Sequence, residues 1–149
     1  MPFTPRISRE DVDGLAAWAV IRAARELARR LATELAPLHL SPVEFGVLAQ
    51  LAAADGLSQA DLARAVGVRP QSMTVVIAGL TDRGLVERRA EPGRGRHSRL
   101  TLTDDGGALL GEAWTVAAAS DDWFGDDPQR TASLAEFLHP LLTRDDTTG

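Results

Sequence analysis

Apolar side chains recur at Met73, Val76, Ile77 and Leu80, the i, i+3, i+4, i+7 spacing of a helix with one buried face. Pro70 precedes them at a first helical position, where its missing N–H is not needed, and Gly84 closes the run. Upstream, Ser58 with Asp61 three residues on is a capping-box-like start for a shorter helix. Leu62, Ala63 and Val66 form its apolar stripe, and Gly67 ends it with a residue that tolerates positive φ. Two helices joined by a tight glycine-containing turn make a helix-turn-helix. Past Gly84 the period changes to two. Val86, Arg88 and Ala90 alternate with Glu87 and Arg89, and Arg99, Thr101 and Thr103 alternate with Leu100 and Leu102. That pattern predicts a β-hairpin around the glycine-rich tip 91–96. The predicted fold is mainly α with a small β-hairpin wing, a winged helix-turn-helix over 41–103.

Helical periodicity also flanks this unit. Ser8 with Asp11 starts a long helix that reaches about Ala36, with Leu15, Trp18, Val20, Ala24, Leu27, Leu31 and Leu35 on its apolar side and Pro37 as its stop. Ser41-Pro42-Val43-Glu44 is a full capping box with proline at the first position. It opens a helix to Ala54 that buries Phe45, Leu48, Leu51 and Ala52. Thr103 caps a helix through Leu109, Leu110, Ala113, Trp114 and Ala117. The acidic stretch 120–127 interrupts it, with Trp123 and Phe124 as a packing anchor. Pro128 then starts a last helix whose Leu134, Phe137, Leu138, Leu141 and Leu142 share one face. Residues 1–7 read as a loose arm and 144–149 as a frayed end. The whole is one domain of 149 residues.

Composition narrows the function. With no cysteine, disulfides, thiolate metal sites and thiol redox sensing are excluded. The three histidines (39, 97, 139) have no metal-ligand spacing, and there is no phosphate-binding glycine loop or nucleophile elbow, so neither catalysis nor a cofactor is expected. No apolar run approaches a membrane span and no leader is evident, which suits a cytoplasmic protein. The net charge of −5 seems to argue against nucleic acid, but its distribution does the opposite. Between Ser58 and Thr103 eight arginines face four acids, while the other eight arginines face seventeen acids. A basic surface on an otherwise acidic chain is an electrostatic footprint for DNA.

The candidate contacts follow from this. Arg69, Gln71, Ser72, Thr74 and Val75 lie outside the apolar stripe at the N-terminal end of the second helix, the end that a recognition helix presents to base edges in the major groove. Gln71 is the best base reader, since an amide pairs with adenine. Arg88, Arg94, Arg96 and Arg99 on the hairpin, with Arg89, are candidates for phosphate or the minor groove, Arg94 and Arg96 above all. The bland alternative is that these residues solvate a helix end and a hairpin. Helix-turn-helix proteins commonly bind pseudo-palindromic double-stranded DNA as two-fold dimers.

The chain resembles the MarR family of bacterial transcription regulators. The likeness is carried by 41–45 (Ser-Pro-Val-Glu-Phe) with Leu48 and Leu51, by Leu62-Ala63, and by 70–74 (Pro-Gln-Ser-Met-Thr). It continues through 80–86 (Leu-Thr-Asp-Arg-Gly-Leu-Val) and 102–106 (Leu-Thr-Asp-Asp-Gly), and spans about Ser8 to Leu142. The resemblance implies a homodimer held by helices in 8–37 and 104–143. It also implies a repressor released by a small aromatic or lipophilic effector, bound beside Trp18, His39, Phe45 and Trp114. Each of those four would serve equally as core. Two positions depart from the family pattern. Arg94 stands where an acidic partner of Arg96 is usual, and Val75 stands where a basic residue is common. A monomer with its terminal helices packed together is the alternative assembly, and a winged-helix protein-interaction or ligand-binding module without specific DNA binding is the alternative function.

Overall fold

Leu48, Leu62, Met73, Leu80, Val86 and Leu100 are fully buried together, and they come from every element of the predicted winged unit. The computed structural model describes residues 5–90 and 98–143. Most of the expected loose arm, the hairpin tip with Arg94, Arg96 and His97, and the expected frayed end therefore lie outside the described residues.

In chain order the elements are α1 (Arg9–Asp13), α2 (Ala16–Leu35), a 3₁₀ turn (Ala36–Leu38), α3 (Pro42–Ala53), α4 (Gln59–Val66), α5 (Pro70–Asp82), β1 (Val86–Ala90), β2 (Ser98–Leu102), α6 (Asp104–Ala118), a second 3₁₀ segment (Ala119–Phe124) and α7 (Pro128–Leu142). Strands β1 and β2 pair antiparallel with Val86 opposite Leu102 and Arg88 opposite Leu100. The buried Val86 and Leu100 share one face of the hairpin, with Arg88 further along it towards the tip. Leu57, just before α4, exchanges both backbone hydrogen bonds with Leu100 and adds a third, one-residue strand.

Caps set the helix starts. Ser8 and Ser41 each form the complete reciprocal box, with Asp11 and Glu44 respectively. Ser58 accepts from the Asp61 N–H, while the Asp61 carboxylate pairs with Arg64, one turn on. Its Ser58 bond first, and Arg64 second, hold the Asp61 carboxyl below the ordinary range. The close of the winged unit explains the Leu-Thr-x-x-Gly sequence. Thr103 donates from Oγ1 to the Gly84 carbonyl at 2.6 Å and from its N–H to the Leu85 carbonyl at 3.1 Å, and its hydroxyl accepts from the Gly106 N–H at 3.0 Å. The first turn of α6 is thereby pressed onto the α5–β1 connection.

Two expectations need correction. The long N-terminal helix is two helices: Gly14 ends α1 by donating back to Glu10 and Val12, and Leu15 is extended before α2 begins. A glycine inside a helix costs about 1 kcal/mol relative to alanine, which favours a break at Gly14 without requiring one, since Gly46 and Gly79 lie inside α3 and α5. On α3, Ala52 is exposed and Phe45 only half-buried, whereas Val47 is fully buried beside Leu48 and Leu51. This helix packs against α4 on one side and α6 with β2 on another, so its buried surface is broader than one stripe.

The flanking helices are different. Leu15, Trp18, Val20 and Ile21 of the α2 region are exposed, as are Phe137, Leu141 and Leu142 of α7, although both helices carry continuous apolar faces. The main packing of α7 is on the 119–124 segment. Glu26 on α2 is bracketed by Arg29 (2.8 and 3.0 Å) and Arg30 (2.8 Å), whose hydrogen bonds lower its carboxyl to about 2. A depressed carboxyl stabilises the fold above its ordinary value of 4.5 and loses that contribution as pH falls towards 2. An NMR titration of the Glu26 side chain should therefore show a midpoint near 2; a midpoint near 4.5 would mean that the bracket does not hold in solution. No described helix is long and apolar enough to cross a membrane.

Candidate nucleic-acid interface

The turn between α4 and α5 is built by backbone preference. Gly67 is left-handed (φ 77°) and returns its N–H to Ala63 and Arg64, and Val68 also donates to Ala63. Arg69 is the extended residue before α5, and Pro70 starts the helix. Met73, Ile77 and Leu80 then point into the core. This leaves Arg69, Gln71, Ser72, Thr74 and Val75 exposed, Val75 at 74%. Arg69 before the helix and the four residues singled out on it are thus all exposed to solvent, and burying the opposite face stabilises each large side chain by about 1.5–3 kcal/mol.

Position on the hairpin separates the arginines. Arg88 lies on the face shared with Leu100 and reaches back to α4, donating from Nη2 to Gln59 Oε1 at 2.6 Å and from Nη1 to Ser98 Oγ at 3.3 Å. Gln59 Nε2 in turn donates to Thr74 Oγ1 at 2.8 Å. One glutamine therefore joins the hairpin to α5. It was not among the residues chosen from sequence, and no local pattern marks it, because its partners lie 15 and 29 residues away. Arg89 pairs with Glu87 at 2.8 Å on the other face. Arg99 donates to the Asp55 and Gly56 carbonyls at 3.2 and 3.4 Å, and its methylenes cover Gly56, which is left-handed at φ 84°. Its guanidinium fastens the α3–α4 loop to β2.

The far end of α5 is also held. Arg83 Nη1 donates to the His39 carbonyl at 2.8 Å and pairs with Glu44 at 3.2 Å. His39 itself is exposed and left-handed, at φ 55°. Of the four residues proposed to line an effector site, the structure brings two together. The Phe45 and Trp114 rings lie 6.2 Å apart, tilted by 37°. Trp114 also borders a shallow apolar cleft between α3 and α6 with Ala49, Ala53 and Leu110. Trp18 sits apart on α2, beside Asp13, Arg22 and Glu26. Among the described residues no group of His, Asp or Glu is arranged to hold a metal ion.

Known proteins share this arrangement. Residues 39–97 match the MarR family. The HTH-type transcriptional repressor Rv2887 of Mycobacterium tuberculosis (strain ATCC 25618 / H37Rv) is 38% identical over 104 residues, covering 70% of this chain and 75% of that protein. The solved structure of the Mycobacterium tuberculosis MarR family protein Rv2887 in complex with salicylic acid is 33% identical with a TM-score of 0.70, over 87% of this chain and 97% of that one. The transcriptional repressor CouR, from Rhodococcus jostii RHA1, has been solved bound to a 23-mer DNA duplex. It is 25% identical with a TM-score of 0.79, over 94% of this chain and all of the other. With its winged helix-turn-helix and these relatives, the chain belongs to the MarR family of transcription regulators.

Proposed function

We propose that this regulator is a homodimeric repressor that binds a pseudo-palindromic DNA duplex and is released by a small aromatic or lipophilic ligand. The observation that carries the reading is the division of α5: one face is core, and the other presents Arg69, Gln71, Ser72, Thr74 and Val75 to solvent beside an arginine-bearing hairpin. That is the geometry of a helix entering a major groove with a wing alongside. The 23-mer complex of CouR supports the same reading.

Dimerisation is supported by the open apolar faces of α2 and α7, since a monomer that packed its terminal helices together would cover them. The salicylic acid complex of Rv2887 supports a small aromatic effector, and the Phe45–Trp114 pair beside its apolar cleft is where such a ring would find stacking surface. Ligand seated there would shift the lobes and with them the separation of the two recognition helices, which must match successive major grooves about 34 Å apart.

Fluorescence anisotropy with random-sequence and selected duplexes at two salt concentrations tests the core of this proposal. Salt-sensitive binding that strongly favours selected inverted repeats is expected. Gln71→Ala should relax the preference at one or two base pairs, by about 1–3 kcal/mol if its amide is bidentate to adenine. Absence of binding to either duplex at low salt would instead favour a protein-interaction module, for which the exposed apolar Val75, Arg94 in the sequence and the acidic net charge are the best support.

A further inference from the structure

The hydroxyl of Thr74 has its only proton committed inside the protein. An arginine only donates, so the Gln59 atom facing Arg88 Nη2 at 2.6 Å must be the carbonyl Oε1, and this fixes the orientation of the amide. The Gln59 NH2 group then faces Thr74 Oγ1 at 2.8 Å and donates to it. Thr74 passes its own proton to the Pro70 carbonyl at 3.2 Å. The relay runs one way, from the guanidinium on the hairpin to a backbone carbonyl in the first turn of α5. What remains on the Thr74 oxygen is acceptor capacity alone.

A free threonine hydroxyl contacts donors or acceptors in the major groove equally well, because it turns to suit. Here, accepting from Gln59 polarises the Thr74 O–H and strengthens its bond to Pro70, so turning the proton outward costs this hydroxyl an internal bond. Guanine N7 and O6 and thymine O4 are acceptors, whereas adenine N6 and cytosine N4 are amines that donate. We infer that Thr74 reads the duplex as an acceptor only, selecting an exocyclic amine on the strand it touches, and that Gln59, at the start of α4, is the positioning residue that reinforces this polarity by donating to the hydroxyl. The inference rests on the DNA-binding reading above and adds the chemistry of one base contact to it.

The test uses the full chain and its selected duplex. Single adenines are replaced by purine, or single cytosines by 2-pyrimidinone, which deletes one amine at a time. One such deletion in each half-site should weaken the parent protein by about three- to tenfold, the range of a single neutral hydrogen bond. The same deletion should leave Thr74→Val unaffected, while Thr74→Ser should keep the sensitivity. In Gln59→Ala the Thr74–Pro70 bond loses that polarisation and the hydroxyl turns outward more easily, so inverting that base pair should be penalised less than in the parent. A merely structural role for Gln59 would lower thermal stability without changing which base is preferred, and melting curves of all three variants separate the two effects. The inference is overturned if no amine deletion is felt, if Thr74→Val stays as sensitive as the parent, or if Gln59→Ala keeps the full inversion penalty. A parent protein that prefers no duplex would sink the DNA-binding reading itself, and this inference with it.

Discussion

Gly106→Ala should lower the melting temperature by about 6–12 °C, the shift for a loss of roughly 3 kcal/mol in a domain of this size. Gly106 is fully packed in the first turn of α6, and a methyl group there would overlap the Leu85 carbonyl oxygen, with the Leu85 carbonyl carbon at 3.0 Å and Leu102 Cδ1 at 2.9 Å. The obstacle is backbone, and that backbone is pinned from both sides. The Leu85 N–H donates to Leu80 at 3.0 Å, and the Leu85 carbonyl accepts from Thr103 at 3.1 Å. Relief would require α6 to lift off the α5–β1 connection, breaking the Thr103 cap. Helix propensity pulls the other way by only about 1 kcal/mol. Gly111→Ala is the matched control: nothing lies within 4 Å of a methyl group there, so that variant should melt at or slightly above the parent. Thermal unfolding followed by circular dichroism decides it, and a Gly106→Ala protein melting with the parent would show that the close approach is absent in solution.

If the proposed dimer forms through α7, the paired substitution Phe137→Glu with Leu141→Glu should leave the protein monomeric and weaken operator binding by about 100-fold or more. Both side chains are exposed on α7, at 75% and 60%, so neither change removes core packing within one chain. Placing two carboxylates on each copy of an apolar interface sets four buried charges against one another, a desolvation cost of several kcal/mol for each ion. Affinity falls because two half-sites held by a dimer are bound at high effective concentration, a gain of 10² or more that separate monomers forfeit. Sedimentation velocity reads the first effect and anisotropy the second. If the parent sediments as a dimer and the variant does the same, α7 is removed from the proposed interface and α2 is left as the candidate.

The winged unit was legible because its signals are local. Capping serines, Pro70, Gly67 and Gly84 mark boundaries, and the 3.6-residue period of Met73, Ile77 and Leu80 shows which face is buried. Gly14 was harder to see, since a glycine within a periodic apolar run also occurs in unbroken helices. The bridge of Leu57 to Leu100 is one residue long and produces no period at all. Site chemistry was legible only in part. Spacing alone placed Gln71 and Thr74 on the outward face, yet the partner that sets the state of Thr74 is on another helix. Arg99 reads as a wing contact from its charge and place on the strand, and its bonds to the loop carbonyls, for which the absence of a side chain at Gly56 makes room, leave no trace in sequence spacing. Trp18 and Trp114 each lie on an apolar helical stripe, and sequence spacing carries no information on whether two such stripes meet.

The links that Arg83 makes to His39, Arg99 to Asp55 and Leu57 to Leu100 each join positions more than 40 residues apart. Their loops interleave, so no subset of α3, α4, α5 and the hairpin can open without breaking a link to the rest. The described parts of this segment, 39–90 and 98–103, should therefore open as one cooperative unit, with amide protection in hydrogen exchange approaching the free energy of global unfolding. Among the described residues, helices α1 and α7 make no such long-range hydrogen bond and should open locally at lower free energy. Because few of these links are local, the unit gains most of its stability only when the chain closes on itself, which slows its folding relative to a simple helical bundle. During synthesis the first 60 or so residues emerge before β2 exists, leaving the Leu57 and Asp55 backbone groups waiting for strand and arginine partners made later in the chain.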